Sequence, residues 1–250
     1  MESEKLILIK KDLELFHLLF RLNENRANLY EKVQDTVLRG EKDKVAEELA
    51  ESLSDFLKNW NKARMYNKEE LRKIFVQILD EFGKFKLLKL SKKAILDNLS
   101  KEDKILIENI ALNIVFLKLK ELKNSIEKVA TSKVLNVLFP QIFPLFDNEI
   151  LKALNLNDKI ENEEQLKDLF NKLKQKYDNL RNEVFEEELK KEEMFYVGGR
   201  LYSHYKLIDE ILYLLLVKKD TLKEIDYLNE KTKENLLNKA EKLLELLKQC

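Results

Sequence analysis

The sequence is poor in the residues that interrupt regular structure. Its 250 residues include only 4 glycines and 2 prolines, too few for a turn-rich β fold or a glycine-rich phosphate loop. The one cysteine, Cys250, excludes an intrachain disulfide and a Cys-rich metal site. Two histidines, His17 and His204, leave little material for a zinc site or a Ser-His-Asp triad. No metal and no cofactor is expected. Neither sign of charge prevails, since Lys+Arg and Asp+Glu are both 46. A dedicated nucleic-acid binder is usually basic, so neutrality weighs against that class without excluding a local basic patch. No apolar run can span a bilayer. Ile105–Leu119 contains Glu108, Asn109, Asn113 and Lys118, and Leu207–Val217 contains Asp209 and Glu210. The N-terminal MESEKLILIKKDLELF is broken by charges and lacks the apolar stretch of a signal peptide, so the expected location is the cytoplasm.

What remains is a helix-forming composition. Hydrophobic residues are 44%, enough for a packed core, and charged residues are 37%, against roughly 25% in ordinary soluble domains. Abundant Lys, Glu, Ile and Leu with little Gln resembles a thermophile's composition or the output of an A/T-rich genome.

Apolar residues recur at helical spacing almost throughout. The pattern predicts a first helix over about 4–22 and a second ending before Gly40. Val45 to Trp60 forms a third stripe. Asn67 caps a fourth helix that Gly83 closes, and Ser91–Leu99 forms a short fifth. Ser100 and Asp103 form an N-terminal cap for the next. Its body, Ile105–Lys128, is apolar on nearly every side in its first half, which predicts a place at the centre of the molecule. Thr131–Leu138 is a short helix stopped by Pro140. Asn162 opens a polar helix running to about 190, Gly198-Gly199 breaks the chain, and Thr221 and Thr232 start the final segments. The expectation is an all-α globular protein of about ten helices. It forms a single helical domain, or two lobes around a cleft split near 130–165, with the N-terminal helix free to return to the second lobe.

The least helix-like stretch is residues 129–150, which holds both prolines, Pro140 and Pro144. They enforce a rigid non-helical turn between two short helices. Lys133 sits in the first turn of the helix before it, and Asp147 stands at the N-cap position of the helix after it. Two roles are open: Asp147 as a cap with Lys133 as a solvated or paired lysine, or the two as a catalytic pair.

Ala130-Thr131-Ser132-Lys133, a helix, a short turn and then Asp147 resembles the catalytic segment of the helix-hairpin-helix DNA glycosylase superfamily, over about 125–155. Ser132–Leu135 with Phe143–Ile150 also resembles a group of uncharacterised prokaryotic proteins, as do Trp60-Asn61 and Lys206–Glu210. The glycosylase resemblance implies DNA repair on a base flipped between two helical lobes. It makes Asp147 the carboxylate that stabilises positive charge on the sugar, and Lys133 the amine that forms a Schiff base at C1′.

A second anomaly is Met194–Lys206, where Tyr196, Tyr202, Tyr205 and His204 mix with Arg200 and Lys206 behind Gly198-Gly199. Arg200, Tyr202 and Lys206 are candidate nucleic-acid contacts through stacking and phosphate grip. The competing reading is a loop entering a buried helix with half-buried tyrosines. His204 reads as a hydrogen-bonded residue rather than a base. Trp60 reads as a core anchor, or with Asn61, Lys62, Arg64 and Tyr66 as a pocket rim. Asn109 and Asn113 read as buried amides tying neighbouring helices.

Two functions follow. One is a DNA-glycosylase-like or DNA-binding helical protein, with DNA as partner. The other is a non-enzymatic helical module that binds a protein. Neutral charge and the absence of glycine from Glu127–Ser132 favour the second. The segment from Lys133 to Asp147 favours the first.

Overall fold

The computed structural model describes residues 6–24, 27–40, 43–60, 67–122, 127–156, 159–218 and 228–249. The chain is all-α with one small hairpin. The helices are α1 (Lys10–Asn23), α2 (Ala27–Arg39), α3 (Asp43–Trp60), α4 (Lys68–Lys84), α5 (Leu87–Ile95) and α6 (Lys101–Lys120). After them come α7 (Glu127–Leu138), α8 (Asn148–Ala153) and α9 (Glu163–Val184). Strands β1 (Met194–Val197) and β2 (Arg200–Ser203) lead into α10 (His204–Val217), and α11 (Glu230–Gln249) closes the described chain.

The local signals set several helix ends. The Asn67 side chain accepts from Glu69 N–H, and Ser100 with Asp103 completes a capping box. Gly40 takes φ +84° after α2, a conformation that glycine adopts without a Cβ clash. Gly83 does not close α4, which continues to Lys84; Lys86, at φ 58°, supplies the left-handed residue between α4 and α5. Asn61, Lys62, Arg64, Tyr66, Thr221 and Cys250 lie outside the described residues, as does the Trp60 side chain.

The chain forms two compact units. One comprises Arg26–Leu145 with Lys159–Asp168; the other comprises Met1–Asn25, Phe146–Asp158 and Leu169–Cys250. The N-terminal helix is therefore grouped with the C-terminal elements, and residues 131–145 with α2–α6.

In the first unit the enclosed helix is α7, not α6. On α6, Ile105 and Leu117 are 49% and 52% exposed, and Asn109 is at the surface, where it accepts from Lys167 Nζ. On α7 and the proline turn, every residue from Val129 to Phe146 is buried. Apolar residues all round a helix thus did not locate the centre, because neighbouring elements decide which face is covered.

Burial of residues 129–146 obliges their polar groups to find partners inside. Asn136 accepts from the Tyr30 hydroxyl at 3.0 Å and donates to the Phe143 carbonyl at 2.7 Å. It thereby fastens α2, α7 and the proline turn together. Ser91 on α5 donates to the Leu138 carbonyl at the end of α7, and Gln141 in the turn donates to the Ala94 carbonyl near the end of α5. Each helix thus has a C-terminal carbonyl satisfied by a side chain from the other segment.

In the second unit, α1 packs along α10. Leu8, in the extended residues before α1, bridges Phe185 in parallel. Lys239 on α11 bonds Asp12 on α1 at 2.6 Å.

Asn136→Ala strands both the Tyr30 hydroxyl and the Phe143 carbonyl, at about 1–3 kcal/mol for each orphaned group. Gln141→Ala strands only the Ala94 carbonyl. Urea denaturation should show the larger loss for Asn136→Ala; equal losses would contradict this ranking.

Candidate functional site

The charged residues least expected from their position lie on α10. Its sequence, HYKLIDEILYLLLV, is almost wholly apolar after the first turn, yet it carries Lys206, Asp209 and Glu210. Every residue from His204 to Leu212 is buried. Lys206 and Glu210 are each 1% exposed.

Local structure places them there. Gly198 and Gly199, at φ +58° and +88°, form the two-residue turn of a hairpin, in the paired left-handed conformation that a tight hairpin requires. Val197 pairs with Arg200 and Met194 with Ser203. Ser203 then caps α10 by accepting from Lys206 N–H at 3.2 Å. The Gly-Gly pair that reads as a chain break is thus the turn of a β hairpin.

One carboxylate joins α10 to α1. Glu210 Oε2 lies 2.8 Å from His17 Nδ1, and Glu210 Oε1 lies 3.1 Å from Lys206 Nζ. The Lys206 ammonium also lies 3.6 Å from Asp209 Oδ2 and 4.3 Å from the centre of the Phe20 ring. Burial alone pushes the Glu210 carboxyl up. The Lys206 ammonium and then the His17 hydrogen bond outweigh it and hold the group below its ordinary value. Glu210 is therefore an ionised carboxylate in the interior. The His17 ring packs 4.5 Å from that of Tyr202. Its Nε2 is buried and has no hydrogen-bond partner among the described residues.

A second cluster joins α9 to α10. His204 Nε2 lies 2.8 Å from Asp178 Oδ1, and the Tyr205 hydroxyl donates to the same carboxylate at 3.2 Å. Burial pulls the His204 imidazole below its ordinary value, against the pull of Asp178. The Asp178 carboxyl is raised by burial but lowered more by His204, Arg181 and Tyr205 together, and ends below its ordinary value. Tyr177, fully buried with no partner for its hydroxyl among the described residues, is raised well above its ordinary value by burial and by the charges of Asp209 and Asp147.

The expected site residues are distributed as follows. Asp147 is the N-cap of α8, and its Oδ1 accepts from both Glu149 N–H and Ile150 N–H. Lys133 is 4% exposed, so it is a buried lysine and not a solvated first-turn residue. It belongs to the first unit and Asp147 to the second. Of the three candidate nucleic-acid contacts, Tyr202 and Lys206 are buried and Arg200 is half-buried at the hairpin turn. Tyr202 packs on His17 and Lys206 pairs with Glu210, so neither offers its side chain to a strand at the surface. Glu210, Asp178 and Tyr177 were not among the expected site residues. The signal for Glu210 is Lys206 four residues before it, a paired charge spacing inside an apolar run. Asp178 and Tyr177, on a polar helix, carry no such mark. No group of three or more His, Cys, Asp or Glu side chains suited to a metal is present among the described residues.

On the acid side the pH dependence has one sign. His204, lowered from 6.5 in the folded state, makes stability fall as pH drops below about 6.5, where the unfolded chain takes up the proton first. Glu210 and Asp178, lowered from 4.5 and 3.8, contribute stability above those values that is lost as pH falls through their folded values. Denaturation midpoints should fall on acidification below about pH 6.5, and His204→Gln should delay the onset of the fall. A midpoint that rises between pH 7 and 5 would contradict this.

No family model, curated protein or solved structure matches the chain, so the functional reading rests on the chemistry of its own residues.

Proposed function

We propose that the chain is a DNA-glycosylase-like helical protein whose acidic group is Asp147. The observation that carries this reading is the order of a helix, a buried proline turn and a carboxylate at the next helix start, with both cap hydrogen bonds on Oδ1. In base removal the C1′–N bond breaks and its electron pair leaves with the base. The carboxylate offsets the positive charge developing on the sugar, and water then adds at C1′. The resemblance to the glycosylase superfamily assigns Lys133 the lyase step, in which an amine adds to the C1′ aldehyde of an abasic sugar and loses water to form a Schiff base. Burial supports that assignment, because nucleophilic lysines are commonly withdrawn from water.

A second reading, a helical module that binds a protein, is favoured by a different observation. Leu18 and Leu22, one turn apart on the solvent face of α1, are 49% and 54% exposed. Ile7 and Ile9 are exposed on the extended segment before them, while Leu6 and Leu8 point inward. Burial of Tyr202 and Lys206 also favours it, because it removes two of the three candidate nucleic-acid contacts.

Borohydride trapping on abasic-site DNA, with base release from damaged duplex, tests the first reading. Wild-type protein should form an adduct and Lys133→Gln should not. Asp147→Asn should lose base release while keeping its thermal stability, because an amide still caps α8. Asp147→Ala should lose base release and about 0.5–2 kcal/mol of stability. No adduct and no base release with wild-type protein would contradict the glycosylase reading and leave the protein-binding one.

A further inference from the structure

The His17 imidazole is the one buried histidine whose outer nitrogen faces a glycine. Glu210 is ionised and lies on Nδ1, so Nδ1 carries the hydrogen, and in the neutral ring Nε2 is left with a lone pair. A carboxylate behind an imidazole fixes its tautomer and orientation. The Lys206 ammonium on the other oxygen of Glu210 holds that carboxylate in place. Yet Nε2 has no partner and is shut away from solvent. A buried acceptor without a partner disfavours the closed arrangement.

The cover over Nε2 is the β1–β2 hairpin. A Cβ added to Gly198 would lie 3.4 Å from His17 Nε2 and 3.4 Å from its Cδ2, with no other atom among its near contacts. The missing side chain of Gly198 therefore leaves the space beside the nitrogen. The hairpin is only four residues long in each strand and is the only sheet among the described residues. Two-stranded hairpins of this kind are marginally stable by themselves. An imidazole backed by a carboxylate, an unpartnered nitrogen, a gap beside it and a two-stranded cover occur together at this one place.

We propose that the β1–β2 hairpin is a flap over a hydroxyl-binding imidazole, and that when it lifts His17 Nε2 accepts a hydrogen bond from a hydroxyl group entering beneath Gly198. Water is the first such donor in the free protein. The fixed orientation of the ring presents the Nε2 lone pair to that hydroxyl. This site is separate from Asp147 and does not depend on the glycosylase reading.

Diethyl pyrocarbonate, which reacts with an unprotonated imidazole nitrogen, reads the opening directly. Its reaction with the intact protein is followed by peptide mass spectrometry, beside the global unfolding rate under the same conditions. His204, past the hairpin and tied to Asp178 through Nε2, is the internal reference. His17 should be modified faster than global unfolding allows and faster than His204. In Gly198→Ala the added methyl fills the space beside the ring and strains a left-handed backbone, so the His17 rate should rise several-fold relative to global unfolding. Modification of His17 only at the global unfolding rate, modification of both histidines at equal rates, or a Gly198→Ala variant with no selective rise at His17 would each overturn the flap.

Discussion

The cost of holding Lys206 and Glu210 out of water is the constraint on which the second unit depends. Removing an ion from water costs several kcal/mol even after relaxation. Coulomb attraction at 3.1 Å offsets that cost only where the remaining hydrogen-bonding sites are also filled. α1 supplies what is missing: His17 on the second oxygen of Glu210 and the face of Phe20 for the ammonium. The position of α1 against α10 is thus fixed by chemistry as well as by packing. One turn further along, the Tyr213 hydroxyl donates to Glu24 at 2.8 Å, which continues the same pairing. The hairpin follows, since Tyr202 closes over the His17 ring and Ser203 starts α10.

In the first unit neutral groups meet much of the same demand, with Lys133 the buried charge on α7. Residues 129–146 are buried without a break, and Asn136, Ser91 and Gln141 pair the polar atoms that this burial would otherwise strand. Neutral amides and hydroxyls cost less to bury than ions. The rigid turn ahead of Asp147 is therefore held by hydrogen bonds of modest individual worth, each with little tolerance for losing a partner.

Features governed by neighbours in sequence were legible. Asn67, Ser100 and Gly40 mark helix ends because a cap needs only the adjacent backbone. Asp147 as a cap was legible for the same reason. Features governed by distant neighbours were not. The apolar composition of α6 suggested the centre, but α7, with the buried polar residues Thr131, Ser132, Lys133 and Asn136, occupies it, and Asn136 takes its partners from α2 and the proline turn. Gly198-Gly199 reads equally as a break or a hairpin turn until the flanking residues pair. Lys206 beside Tyr202 reads as a surface grip until Glu210 and His17, 193 residues apart, are seen together.

The buried ions serve to place α1 and the hairpin, and they do so at a cost in stability. Guanidinium denaturation of Glu210→Leu beside the triple replacement His17→Leu, Lys206→Met, Glu210→Leu tests this most directly. The single change takes the nearer carboxylate from a buried ammonium and should cost about 3–5 kcal/mol, while the triple change removes that ammonium together with Glu210 and His17 and should recover most of that loss. A triple variant as unstable as the sum of the three single changes would show that the ions hold the unit together by net attraction, and would contradict the claim.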